Sequence, residues 1–159
     1  MRGLRGLALL RVTIHKRVSG VRVDARRMRL GVKAALALGG VDDGVVSVAL
    51  VDDPTIHEMN ARHLQHDYPT DVLSFLIEQD GNRIEGDIVA SVDTAAREAP
   101  KYGWSAEDEL LLYVVHGALH LAGFDDLTPT KRKTMRAAEC QVLAQFGLNP
   151  SYEHRASNL

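Results

Sequence analysis

Hydrophobic positions follow two spacings along this chain, and each spacing predicts one type of secondary structure. Alternating or nearly continuous apolar residues predict four strands, at 7–18, 45–51, 72–77 and 84–92. Apolar residues that recur every three or four positions predict five helices, at 23–38, 54–62, 93–101, 105–122 and 130–146. The pattern therefore predicts four strands with two helices between them, followed by a helical segment from residue 93 onward.

Two helix starts are marked by capping residues. Asp53 is expected to cap the second helix, with Pro54 at its first helical position. Ser105 is expected to cap the fourth helix, whose first turn is acidic. That helix is apolar on nearly every side, so we expect it to lie in the core.

The end of the buried fourth helix carries the strongest chemical signal in the sequence. His116 and His120 are separated by four residues, which places both imidazoles on one helix face. Gly123 follows at a spacing suited to a left-handed helix end, and the carboxylates of Asp125 and Asp126 come directly after it. Two imidazoles and one carboxylate are a common ligand set for a catalytic zinc ion. We expect one Zn²⁺, although nickel, copper and iron also accept these ligands.

Either aspartate could turn inward after the glycine, and the spacing favours Asp126. In the zincin motif H-E-x-x-H-x-x-G-x-x-H the third ligand follows the second histidine by six residues, which is the position of Asp126. Asp125 is then expected to be a turn residue or to support a ligating imidazole. Gly117 occupies the position of the protease's general-base glutamate, so a hydrolytic mechanism must take its base from elsewhere.

Size and composition predict a single domain over 1–159, with a frayed tail from about 150 to 159. Cys140 is the only cysteine and cannot form an internal disulfide. No apolar run is long enough to span a bilayer, and no signal-peptide cleavage site is evident. We therefore expect a cytoplasmic protein without a membrane partner.

The formal net charge of −2 hides an uneven distribution along the chain. Residues 1–33 contain ten Lys or Arg and a single acid, Asp24. The remaining residues carry nine basic and twenty acidic side chains. This basic N-terminal segment favours a polyanion such as RNA as partner, whereas a solvated basic helix face explains it without one.

Three segments resemble the YbeY family of bacterial metal-dependent endoribonucleases. The metal motif, from His116 to Asp126, is similar to the family's H-G-x-L-H-L-x-G-Y-D-H. The segment from Asn60 to Phe75 resembles L-N-x-x-Y-R-x-x-D-x-P-T-D-V-L-S-F, and Gly86 to Ser91 resembles G-D-I-x-I-S. The resemblance covers most of the chain, and its metal motif is specific.

The resemblance implies an α+β fold in which about five helices cover a mixed, four-stranded sheet, with a zincin-like metal helix. It also implies a zinc-dependent, single-strand-specific endoribonuclease in late small-subunit (16S) rRNA 3′-end maturation and ribosome quality control. The partners would be rRNA and the small ribosomal subunit, and not DNA. Thr70, Asp71 and Ser74 would line the cleft, although Asp71 could instead cap its loop and Ser74 could simply face outward.

The chain departs from the family pattern at two positions. Asp126 replaces the third histidine, and a carboxylate is also a competent zinc ligand. Leu64 replaces an arginine and cannot bind phosphate. The cation would then come from Arg62, His63, His66 or the basic segment 1–33.

These departures leave two alternatives to a ribonuclease. One is a zinc metalloprotease or another zinc hydrolase, which the zincin-like spacing permits and Gly117 disfavours. The other is a ribosome-associated RNA-binding protein with a structural metal, an alternative that Leu64 keeps open.

Overall fold

The computed structural model describes residues 9–64 and 70–155. These residues form four strands and five α-helices, as the hydrophobic pattern predicts. The strands are β1 (Leu10–Lys16), β2 (Asp43–Val51), β3 (Val72–Asp80) and β4 (Arg83–Ser91). The helices are α1 (Ala25–Leu38), α2 (Asp53–Leu64), α3 (Val92–Glu98), α4 (Ala106–Leu121) and α5 (Pro129–Ala144).

The strands form one mixed sheet in the order β1-β2-β4-β3. β2 pairs in parallel with both β1 and β4, whereas β3 and β4 form an antiparallel hairpin that turns at Gly81, where φ is +59°. β1 and β3 are therefore the two edges of the sheet. This arrangement confirms the α+β class with a mixed, four-stranded sheet.

Side-chain caps begin most of the helices. The hydroxyl of Ser105 accepts a hydrogen bond from the Asp108 amide, as expected. The expected cap of α2 is wrong by one residue, because the carboxylate of Asp52 accepts from the Thr55 amide at 2.9 Å. Asp53 instead accepts hydrogen bonds from the hydroxyls of Ser91 and Thr94, which ties the start of α2 to the start of α3.

α4 is the central helix of the fold. It packs against β3 and β4 and contacts α1, α3 and α5, and twelve of its sixteen residues are buried. Its apolar residues from Leu110 to Val115 are all at most 2% exposed. The histidines of the metal motif are therefore held by a fully packed helix.

Close approach between α4 and the sheet depends on Gly117. A Cβ at this position would lie 2.9 Å from Cγ2 of Ile88 and 3.2 Å from Cγ2 of Val72. These two contacts come from β4 and β3, so α4 crosses the sheet at the β3 side. The glycine brings the helix backbone down onto the sheet and fixes where His116 stands.

The C-terminal segment packs against the first turn of α4 as far as Arg155. Tyr152–His154 forms a 3₁₀ turn, and Arg155 is 9% exposed. Its guanidinium donates to both carboxylate oxygens of Glu109, at 3.0 and 2.9 Å, and lies over the rings of Tyr102 and Trp104. Two aromatic faces and a bidentate carboxylate anchor this segment. Residues 156–159 lie outside the described part of the chain.

Among the described residues, no helix combines the length and apolar character that crossing a lipid bilayer would require.

Candidate metal centre

The chain reversal after α4 has the hydrogen bonds of a Schellman helix end. Gly123 has a φ of +101°, a left-handed value that favours glycine. Its amide donates to the carbonyl of His120, and the Phe124 amide donates to the carbonyl of Leu119. The next residues therefore turn back along the face of α4 that carries the two histidines.

The three expected ligands converge after this reversal. Nε2 of His116 and Nε2 of His120 are 3.1 Å apart, and their rings meet nearly at right angles, with an interplanar angle of 82°. Oδ2 of Asp126 lies 3.7 Å from the first nitrogen and 3.8 Å from the second. The structure thus brings together one oxygen and two nitrogens from the residues that the spacing selects.

This triangle of atoms fits a single metal ion. Ligand atoms about 2.0–2.1 Å from one tetrahedral ion are separated from each other by roughly 3.4 Å. The observed separations of 3.1, 3.7 and 3.8 Å bracket that value. His120 and Asp126 are also partly exposed, which leaves a side open for a substrate.

Glu139 supports the site from α5, and the sequence analysis did not find it. Its Oε1 lies 2.5 Å from Nδ1 of His116, and both residues are buried, at 1% and 5% exposure. A carboxylate that accepts from Nδ1–H fixes the tautomer that presents Nε2 to a metal. Such a partner could be anticipated in general, but nothing in the sequence distinguishes Glu139 from the other acids.

Asp125 points away from the triangle. One carboxylate oxygen accepts from the Leu127 amide at 3.1 Å, and the other lies 3.3 Å from Nζ of Lys131. The backbone hydrogen bond lowers the pKa of Asp125 below its ordinary value. Asp125 therefore shapes the turn between α4 and α5, while Asp126 faces the imidazoles.

The two imidazoles have opposite electrostatic environments. Burial alone would lower the pKa of His116, but the hydrogen bond and the charge of Glu139, with further help from Asp71 and Asp126, raise it. Burial and the neighbouring His116 lower the pKa of His120. A carboxylate-rich pocket that holds two histidines in contact favours a cation between them.

Asp71 is the candidate cleft residue whose charge interacts with the histidines. Burial raises its pKa to about 6, and interaction with His116 opposes that rise. Its Oδ1 accepts from the Val72 amide at 2.9 Å and from the Thr70 hydroxyl at 3.3 Å. Within the described part of the chain, no other residue donates a hydrogen bond to Oδ2. A carboxylate with one free oxygen and a pKa near neutrality is suited to accept a proton.

Ser74 and Arg62 are the other residues expected in the cleft whose side chains the structure describes. Ser74 is two residues beyond Val72 on the same face of β3, so it lies on the α4 side of the sheet. Arg62 is exposed and pairs with Glu58 at 2.7 Å, and no contact joins it to the metal ligands within the described residues. His66 lies outside the described residues, as do the side chains of His63 and Leu64.

The fold and the convergent triad define an α+β protein with a zincin-like metal helix. A family model described as Endoribonuclease YbeY matches residues 14–147. An Endoribonuclease YbeY from Rhodopirellula baltica is 49% identical over 117 residues, covering 72% of this chain and 60% of that protein. Its counterpart from Bacillus licheniformis is 40% identical over 129 residues, covering 74% of this chain and 82% of that protein. The chain belongs to the YbeY family of endoribonucleases.

A solved structure has the same fold. The solution structure of TM1509 from Thermotoga maritima superposes with a TM-score of 0.57 at 26% sequence identity. The superposition covers 94% of this chain and 97% of the Thermotoga protein. The likeness therefore extends over nearly the whole of both chains, including the metal helix.

Proposed function

We propose that this protein is a zinc-dependent endoribonuclease that cuts single-stranded RNA in the late 3′-end maturation of 16S rRNA and in ribosome quality control. The observation that carries the proposal is the convergence of His116, His120 and Asp126, supported by the buried Glu139. Relatives that carry the name endoribonuclease support RNA as substrate. On this proposal the protein acts in the cytoplasm on the small ribosomal subunit, without binding DNA or a membrane.

In this proposal His116, His120 and Asp126 hold the ion. A bound divalent metal polarises a phosphoryl oxygen and lowers the pKa of water. Asp71 then accepts the proton of the attacking group at its free Oδ2. Thr70 and the Val72 amide keep the other oxygen in place. Ser74, on the same side of the sheet, would contact the bound strand.

Arg132 offers a cation for the scissile phosphate. Its Nη2 donates to the backbone carbonyl of Asp126 at 3.4 Å, so a guanidinium stands beside the third ligand. Arg132 is only partly buried and pairs with no carboxylate within the described residues. We expect it to supply the phosphate contact that Leu64 cannot make.

Metal content and cleavage, measured together, test the proposal. The wild type should bind one zinc ion and cut a structured rRNA fragment with single-stranded ends, and His120→Ala should lose both properties. Asp71→Asn should keep the metal and lose about 10²-fold or more in rate. Lys133→Gln, an exposed change on α5, serves as the control.

Two other outcomes would contradict the proposal, and each would favour a different function. Metal-dependent cleavage of casein without cleavage of RNA would indicate a zinc protease. A metal-loaded protein that binds RNA and cuts neither substrate would indicate an RNA-binding protein with a structural metal.

A further inference from the structure

Cationic side chains are paired unevenly across the described part of the chain. From residue 39 to residue 155, six of the nine Lys and Arg side chains form an ion pair with a carboxylate. From residue 9 to residue 38, only Arg27 does so among eight, reaching Glu107 and Asp108 on α4. The unpaired cations are Arg11, Lys16, Arg17, Arg22, Arg26, Arg29 and Lys33.

Three of these cations form a stripe along the outer face of α1. Arg26, Arg29 and Lys33 fall within about 60° around the helix axis and span roughly 10 Å along it. Leu30, 48% exposed, lies among them. We call Arg26, Arg29 and Lys33 the basic stripe. No acid in α1 can neutralise it, since the helix contains none and the cap Asp24 already accepts from the Arg27 amide.

The basic stripe and the metal motif lie toward opposite edges of the sheet. α1 packs against β1, one edge of the sheet, and against α4 and α5. The ligand helix contacts Val72 and Ile88 at Gly117, on β3 and β4 at the opposite edge. Edge strands of a four-stranded sheet are about 14 Å apart. An RNA strand that contacts both places must therefore be longer than the nucleotide bound at the metal.

Repulsion among the unpaired cations of the basic stripe destabilises the free protein, and binding of an anion removes this repulsion. Like charges on neighbouring helix turns repel, and α1 keeps three of them without a carboxylate partner. A phosphodiester backbone supplies closely spaced negative charges, and its binding releases condensed counterions. The charge of the basic stripe therefore complements RNA rather than a neutral partner.

We propose that the basic stripe binds the phosphodiester backbone of the RNA substrate outside the segment that is cleaved. This inference rests on the proposed ribonuclease function and names a second contact for the same substrate. The stripe raises the affinity for long, folded RNA and contributes nothing to a short oligonucleotide that occupies only the metal site.

Binding measured without cleavage tests the stripe. Arg26→Gln/Lys33→Gln removes two exposed cations of the stripe, and Lys101→Gln/Lys133→Gln removes two exposed cations elsewhere. Both variants change the net charge equally. In EDTA, the affinity of each for a long structured RNA is followed by fluorescence anisotropy across a salt series. The stripe variant should bind roughly tenfold more weakly, and its log–log salt slope should fall by about 2.

Equal affinities and salt slopes for the two double variants would overturn the proposal. The cleavage of a short single-stranded oligonucleotide by the metal-loaded stripe variant should match the wild type, and a loss there would also contradict a distal role. If the wild type cuts no RNA while the stripe variant still binds RNA more weakly in EDTA, the ribonuclease proposal fails and the binding surface stands.

Discussion

Glu139 of α5 places a carboxylate oxygen 2.5 Å from Nδ1 of His116, in a pocket where both side chains are buried. The ligand and its support come from different helices, 23 residues apart. The geometry of the metal centre therefore depends on how α5 packs against α4. Metal binding and the packing of these two helices are linked.

Replacing Glu139 with glutamine should lower metal affinity without removing a ligand. The amide keeps the shape of the side chain and loses the negative charge that holds His116 in one tautomer. We expect zinc affinity to fall about 10-fold to 100-fold, measured by competition with a chromophoric chelator. Glu153→Gln, an exposed change in the C-terminal turn, should leave it unaltered. Equal affinities for the two variants would contradict the supporting role.

Substitution of the two neighbouring aspartates should separate the ligand from the turn residue. Asp126→Ala should lose most of the bound zinc, because it removes one of three ligand atoms, and Asp126→His should restore it. Asp125→Ala should keep the metal and slightly lower the temperature of unfolding, because it removes the hydrogen bond to the Leu127 amide. Metal analysis and thermal unfolding of each variant provide the measurements. Retention of zinc by Asp126→Ala, with loss in Asp125→Ala, would reverse the assignment.

Asp71 should make the metal-free protein less stable as the pH rises. Its pKa is about 6 in the folded protein against 3.8 ordinarily, so the folded state holds the proton more tightly than the unfolded state. The free energy of unfolding should fall between about pH 4 and pH 6, by at most about 3 kcal/mol from this group. Asp71→Asn should lack that part of the decrease. Urea unfolding in EDTA at several pH values checks it, and parallel profiles for the two proteins would count against the raised pKa.

Arg155 should contribute strongly to stability although it lies near the chain end. Arg155→Ala leaves the buried carboxylate of Glu109 without its cation, at a cost of about 3–5 kcal/mol. The double variant Arg155→Ala/Glu109→Gln removes the buried charge as well and should recover part of the loss. Chemical denaturation of both variants and the wild type provides the comparison. A loss below about 1 kcal/mol for Arg155→Ala would show that the ion pair is dispensable.

The sequence predicted the elements of this fold better than their arrangement. The apolar periodicity located every strand and helix, since burial imposes a spacing of two or of about 3.6 residues. The predicted ends of the elements were less accurate. Asp52 and Asp53 are adjacent carboxylates that could each cap α2, and only their contacts in the structure distinguish them. The family resemblance implied a mixed, four-stranded sheet but no strand order, because pairing between distant strands leaves no periodic signal.

The candidate site could be predicted where its residues are close in sequence. His116, His120 and Asp126 lie within eleven residues, so the helical spacing of the two histidines and the chain reversal at Gly123 relate them. Glu139 and Arg155 act through tertiary contacts with residues 23 and 46 positions away, and each looks like an ordinary surface charge in the sequence. Their partners become evident only when α4, α5 and the C-terminal segment are packed together.

The close packing of the sheet against Gly117 has a consequence for enzyme engineering. A zinc protease of the zincin type carries its proton-accepting glutamate at this position, directly after the first histidine ligand. Here even one added carbon would meet Ile88 at 2.9 Å and Val72 at 3.2 Å. A glutamate introduced at this position would be directed into the sheet and not toward an ion. Conversion of this scaffold into a peptidase would therefore require rebuilding β3 and β4, because a single substitution in the ligand motif has no room.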